Sequence, residues 1–251
     1  KLPSAIMILV YIIIFSVLGS IGAIIVAAFF LTFPNRIQFK LLPGLISYAT
    51  GALLGAAFIR LIPHSLELLD GEIVMSVVLL GIVIFFILEK LVLWRHCHKV
   101  DCEIHDASGP LILIGDAFHN FIDGVVITAA FLVSIPVGIA TSISIISHEI
   151  PQEVGDFAIL INNNYSKLKA FGLNIIAGFT SLIGALAAYF FMMKIQSSIG
   201  YVMALSASSF IYIAIGDLMP GLSNKNTLKQ TISQIFLLLC GIGTIIIFNH
   251  H

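Results

Sequence analysis

Two stretches of this chain concentrate side chains that bind cations. One reads Gly115-Asp116-Ala117-Phe118-His119-Asn120-Phe121-Ile122-Asp123-Gly124, and the other Ser147-His148-Glu149-Ile150-Pro151-Gln152-Glu153-Val154-Gly155-Asp156. On a helix, His119 and Asp123 are four residues apart and share a face, with Asn120 next round. His148, Gln152 and Asp156 form a stripe, with Glu149 and Glu153 beside it. Neutral imidazole and ionised carboxylate are the nitrogen and oxygen donors that a divalent cation takes. Pro151 cannot donate to the carbonyl of Ser147, which is freed for an ion or water.

The elements that carry these residues must cross a membrane. Hydrophobic residues make up 59% of the chain and charged ones 10%, with a mean hydropathy of +1.09. A soluble domain carries about a quarter charged residues. Lipid is therefore the expected solvent, and a net charge of −1 leaves no basic footprint for nucleic acid. A spanning helix needs about 20 apolar residues. Eight segments qualify, at about 6–31, 43–69, 72–95, 108–133, 136–163, 168–194, 198–221 and 228–248. The expected fold is all-α, a polytopic bundle of eight transmembrane helices forming one membrane domain over 1–251. The first segment lacks signal-peptide features and counts as a span.

His119 and His148 lie at similar distances into spans 4 and 5, roughly 17–18 Å, near the middle of a ~30 Å hydrocarbon core. A short turn with Pro136 makes these spans antiparallel neighbours, so the two clusters face each other. Gly124 and Gly155 are expected to let the two helices approach closely. Each ionisable residue there costs about 2.5–3.5 kcal/mol, which a bound dication would offset. Hydrogen-bonded glue between helices would explain one or two such residues, not this set. A proton relay is the other transport alternative. A zinc protease helix, His-Glu-x-x-His, needs a second imidazole where Gln152 stands.

Lys and Arg in short loops favour the cytoplasm. With both termini outside, Arg36, Lys40, Lys90, Arg95, Lys99, Lys167, Lys169, Lys225 and Lys229 fall inside, and Lys1, Arg60 and Lys194 outside. Glu67, Asp70 and Glu72 then form an acidic outer loop that collects cations. The longest connector, on the inner side, holds His96, Cys97, His98, Cys102 and His105. These are thiolate and imidazole donors for metal capture, although a plain solvated loop would read the same way. The three cysteines (Cys97, Cys102, Cys240) are an odd number without disulfide spacing. Span 2 ends Arg60-Leu61-Ile62-Pro63-His64 and span 7 ends Gly216-Asp217-Leu218-Met219-Pro220. They run in opposite directions, as in an inverted repeat of spans 1–3 and 6–8 around spans 4–5. On this topology Arg60 lies in the outer half and Asp217 near the inner end, so they should not pair.

The paired motifs resemble those of the ZIP (Zrt/Irt-like protein) metal transporters. The similar branch carries His-Asn-Phe-x-Asp-Gly on span 4 and His-Glu-x-Pro-His-Glu-x-Gly-Asp-Phe on span 5. Leu61-Ile62-Pro63-His64-Ser65, Glu89-Lys90 and Asp217-Leu218-Met219-Pro220 are further similarities. The resemblance implies eight spans, both termini outside, a homodimer, and metal movement into the cytoplasm through a binuclear site. It implies zinc as transported substrate, with Fe²⁺, Mn²⁺ and Cd²⁺ as alternatives, and no catalytic cofactor or enzyme activity. One metal would take His119, Asp123, His148 and Gln152, and the second Asn120 and Glu149, with Gln152 at the bridging position. The branch has His where this chain has Gln152, whose amide oxygen is a weaker ligand; Glu153 is the nearby carboxylate that could compensate. His64 would lie on the entry path, and Asp156, Glu89 and Asp217 on the exit. The expected location is a plasma or inner membrane rather than an organelle.

Overall fold

The computed structural model describes residues 5–94, 108–195, 197–222 and 227–247. They form eight antiparallel-connected helical spans. Span 1 is Ala5–Phe30, span 2 Asn35–Leu68, span 3 Gly71–Trp94, span 4 Ser108–Val133, span 5 Ile135–Asn162, span 6 Lys167–Lys194, span 7 Ser198–Leu222 and span 8 Leu228–Ile247. Span 2 starts well before the expected 43, because its helix runs straight through Pro43 and takes in the more polar Asn35–Leu42 segment. Seven of the eight are long and apolar enough to cross a membrane. Span 5 is the exception. Its second half holds His148, Glu149, Gln152, Glu153 and Asp156, which depress its hydropathy. The chain is an integral, multi-pass helical membrane protein.

Polarity is arranged inside-out relative to a soluble protein. Leu79, Phe86, Ile176, Phe190, Ile232 and Phe236 are among many large apolar side chains left exposed on the rim. Arg60, Asp116, Asn120, Asp123, His148, Glu149, Glu153 and Asn174 are all buried. Because lipid tails are as apolar as leucine, helix association here depends on close packing and interhelical hydrogen bonds. Spans 4 and 6 run parallel in close contact. A Cβ at Gly124 would collide with the carbonyl of Ser181, and one at Gly184 with the carbonyl of Phe121. Thr180 donates to the Ala117 carbonyl, and Thr128 to that of Ala185 at 3.0 Å. This corrects the sequence reading of Gly124 and Gly155. Gly124 seats span 6 rather than span 5, and Gly155 has no atom within 4 Å of its Cβ position.

Span 2 packs along span 8, as span 7 packs along span 3. Gly51 and Gly241 bring the first pair to backbone contact, and Gly81 seats Ser208 in the second. Both span 2 and span 7 also carry a π turn, at Ala57–Leu61 and Ile213–Leu218. Each ends on the leucine of a Leu-x-Pro sequence (Leu61-Ile62-Pro63, Leu218-Met219-Pro220). The proline cannot supply the amide that an uninterrupted helix requires, and a wider turn accommodates the lost bond. The sequence echo between these spans is thus repeated in backbone geometry and in packing partners, as an inverted repeat requires.

One end of the bundle carries Arg36, Lys40, Lys167 and Lys229, and is called the basic end here. The other carries Glu67, Asp70 and Glu72, the acidic end. Toward the acidic end the interior is an apolar core that includes Ile12, Leu53, Leu61, Phe131, Met203 and Phe210. Ser65 of span 2 donates to the Gly200 carbonyl of span 7 there, at 2.9 Å.

The span 4–span 6 contact makes a direct prediction. A backbone carbonyl cannot yield to a new side chain, so Gly124→Val should cost at least the ~1–3 kcal/mol of ordinary overpacking. It is expected to lower the melting midpoint of the detergent-solubilised protein by several degrees or to prevent its isolation. Gly155→Ala, which meets open space, should leave the midpoint unchanged or raise it; equal losses in both would contradict the packing.

Candidate metal site between spans 4 and 5

Span 4 brings His119 and Asp123 to one face by their four-residue spacing, and span 5 brings His148 and Glu149 opposite them. His119 Nε2 lies 3.0 Å from His148 Nε2. It is 3.2 Å from Glu149 Oε1 and 3.8 Å from Asp123 Oδ2. His148 Nε2 is 3.5 Å from Asp123 Oδ2 and 3.6 Å from Glu149 Oε1. Each of these four side chains offers one donor atom within 4.8 Å of the others. That is the size of a shell around a single cation whose bonds to nitrogen and oxygen are about 2.0–2.2 Å.

The orientation of His148 follows from its second nitrogen. Nδ1 faces the Ser144 carbonyl at 3.1 Å, and a carbonyl only accepts, so Nδ1 carries the proton. Nε2 is then left with its lone pair directed into the cluster, the tautomer a metal ligand needs. Phe210 packs against the imidazole at a ring separation of 6.2 Å. His148 is fully buried, while His119 retains 18% side-chain exposure.

A second group adjoins the first. Asp116, Glu149 and Glu153 also bring one oxygen each within 4.8 Å of one another. All three are buried. Glu149 belongs to both groups, so its carboxylate is shared between them. Asn120 donates to Asp116 Oδ1 at 2.8 Å and to its carbonyl at 3.2 Å; its amide nitrogen therefore serves to hold Asp116. Among the described residues, the carboxylate oxygens of Asp123, Glu149 and Glu153, and Oδ2 of Asp116, have no hydrogen-bond partner. Buried carboxylates left this way are costly, and a cation is the partner that would satisfy several at once.

Asp116 joins the donors in the structure, beyond the residues expected from the sequence. Its signal was there: it stands three residues before His119 and four before Asn120. Span 6 adds Asn174, fully buried with neither amide atom partnered among the described residues. As a lone amide in an apolar helix it gave no pattern to read.

Gln152 is half-buried and lines a cavity of about 470 Å³ together with His119, Gly115, Pro151, Asp217 and Gly221. The cavity runs from the donor cluster toward the basic end. Asp217 is exposed on it, whereas Arg60 is buried with its Nε and Nη2 unpartnered among the described residues. Asp156 is half-buried, two helical turns beyond His148. His64 bonds Glu67 Oε2 at 2.9 Å at the acidic end of span 2, apart from the cluster. His96, Cys97, His98, Cys102 and His105, and the side chain of Glu89, lie outside the described residues.

Comparisons with known proteins bear on the family to which the chain belongs. The chain is 31% identical over 80% of its length to the zinc transporter zipt-7.2 of Caenorhabditis elegans, spanning 57% of that protein. It is 30% identical over 82% of its length to zinc transporter ZIP13 of Pongo abelii, spanning 66% of it. With the zinc transporter ZIP13 homolog of Drosophila melanogaster the figures are 28%, 81% and 76%. The chain thus spans between about half and three quarters of these relatives. The family model for ZIP zinc transporters matches residues 94–249, more than half of the chain and all of spans 4 and 5. The chain belongs to the ZIP zinc transporter family.

Proposed function

We propose that this protein carries divalent metal ions, zinc foremost, across a membrane into the cytoplasm through the site between spans 4 and 5. The observation that carries this is the convergence of His119, Asp123, His148 and Glu149 at the head of a cavity leading to one end of the bundle. Two imidazoles and two carboxylates suit zinc, and Fe²⁺, Mn²⁺ and Cd²⁺ can share such a donor set. The zinc transport in the relatives' names supports the same substrate.

In this reading the structure is the conformer open to the basic end, with the acidic end closed by the Phe131, Met203 and Phe210 core. The basic end is the cytoplasmic one by the charge rule, which sets both termini outside. Metal is attracted by the acidic outer loop and passes His64 when that side opens. It docks on His119, Asp123 and His148, and a second ion is held by Asp116 and Glu153 with Glu149 shared. Release follows the cavity past Gln152 and Asp217, with Asp156, Glu89 and the His/Cys connector receiving the ion. Gln152 then serves as a weak, neutral ligand on the way out. Opening the other side exchanges the roles of the two π-turn spans, as an inverted repeat permits. The protein acts as a transporter rather than an enzyme, as a homodimer in a plasma or inner membrane.

Three measurements test this reading. The His119→Ala/His148→Ala double variant should lose saturable zinc uptake into proteoliposomes by about two orders of magnitude or more, because even an outer-shell partner is worth roughly 10–100-fold. Undiminished uptake would remove the site from the pathway. Metal stoichiometry on the purified protein should be two zinc ions per chain, one in Asp116→Asn and none in Glu149→Ala; an unchanged count in Asp116→Asn would refute the second position. Gln152→His should tighten zinc binding severalfold in a competition titration and slow turnover, whereas a Gln152 remote from the ion path would leave both unaltered.

A further inference from the structure

A second and larger cavity, of about 940 Å³, lies on the other side of span 5. Its walls come from spans 1, 2, 5 and 8 near the basic end. Its volume falls within the roughly 300–1,000 Å³ typical of small-molecule sites. The two ends of the cavity differ in chemistry. Toward the bilayer interior it is lined by Phe30, Leu45, Ile150 and Leu237, and at its mouth stand Lys40, Thr227, Lys229 and Gln230.

The two lysines come from different spans, Lys40 from span 2 and Lys229 from span 8, and both are exposed. No acidic residue is among the described residues of the lining. Neither lysine forms an ion pair among the described residues. Thr227 and Gln230 are already engaged with each other: Gln230 Oε1 accepts from the Thr227 amide at 2.8 Å and lies 2.9 Å from its hydroxyl. The uncompensated charge at the mouth is therefore positive, beside an apolar groove at the depth of the acyl chains. Phe39 and Leu41, flanking Lys40, are also exposed on this wall.

From this we infer that the cavity is a binding site for an anionic phospholipid of the leaflet at the basic end. Its phosphate and charged headgroup sit between Lys40 and Lys229, and an acyl chain fills the groove over Leu45 and Leu237. Charge complementarity selects the occupant. A zwitterionic lipid gains the groove but brings its own cation to the two lysines, whereas an anionic headgroup offers them an unshared negative charge. Anionic lipids are enriched in the cytoplasmic leaflet, the side the basic loops favour. The site has a consequence for span 5. Ile150 lines the lipid cavity, while Pro151 and Gln152, the next two residues, line the metal cavity. Span 2 is divided in the same way, with Leu45 on one cavity and Ile46 on the other. A lipid here braces the helices of the donor cluster from behind. The inference rests on membrane embedding and not on the metal assignment.

The test is native mass spectrometry of the full chain released from nanodiscs of equal parts phosphatidylcholine and phosphatidylglycerol. The expected result is preferential retention of phosphatidylglycerol on the wild-type chain. Lys40→Gln/Lys229→Gln should weaken that retention by roughly 25-fold, about fivefold for each lysine, with phosphatidylcholine adducts unchanged. Leu41→Trp, placed to fill the groove, should reduce both lipids. Zinc stoichiometry at the wild-type value certifies that the variants are folded. Phosphatidylglycerol retained equally by the double-lysine variant, or both lipids retained alike by the wild type, would overturn the proposal. So would a lipid-free dimer, which would mean that a second copy covers the groove.

Discussion

The cost of placing charge in hydrocarbon governs this structure. Asp123, His148, Glu149 and Glu153 are buried where water cannot solvate them, and the carboxylate oxygens have no hydrogen-bond partner among the described residues. A bundle held together only for its own stability would leave such groups out, since apolar residues of similar size would be cheaper. Their presence makes sense when a cation repeatedly enters and leaves. The unsatisfied lone pairs are then binding capacity, held in place by the surrounding helices.

Holding them requires rigid neighbours, and in lipid that means close packing of small residues. Gly124 and Gly184 bring spans 4 and 6 to backbone contact, and hydroxyls of Thr128 and Thr180 tie them. Gly51 and Gly241 do the same for spans 2 and 8. Span 5 stands between these assemblies and has cavities on two sides. Ser144 links it to span 2 through the Ala52 carbonyl at 3.0 Å. The helix richest in polar donors is thus flanked by open space, with tightly packed pairs beyond. The π turns of spans 2 and 7 add local backbone slack next to prolines, at opposite ends of the bundle.

Much of this was legible in the residue order. Helical spacing alone puts His119 with Asp123, and equal depth on antiparallel spans sets them against His148 and Glu149, because a helix converts spacing into direction and height. The eight spans follow from lipid demanding long apolar helices. Span 2 starts before the expected 43, because the chain stays helical through Pro43. The Leu-x-Pro echo was visible as a pattern, but not as a shared π turn, because hydrogen-bond register is absent from a sequence.

The sequence by itself determined that this is a helical membrane protein with imidazole and carboxylate side chains gathered on two adjacent spans. Composition sets the solvent, and local periodicity sets which side chains share a face. Tertiary structure decided the rest. It joined Asp116 to Glu149 and Glu153, committed the Asn120 amide nitrogen to Asp116, and turned Gln152 toward a cavity wall. It gave Gly124 to span 6, gathered an apolar core toward one end of the bundle, and opened a lysine-rimmed groove behind span 5. Each of these depends on how helices rotate about their axes and which neighbours they meet. Those are contacts between residues far apart in the chain, and no local spacing encodes them.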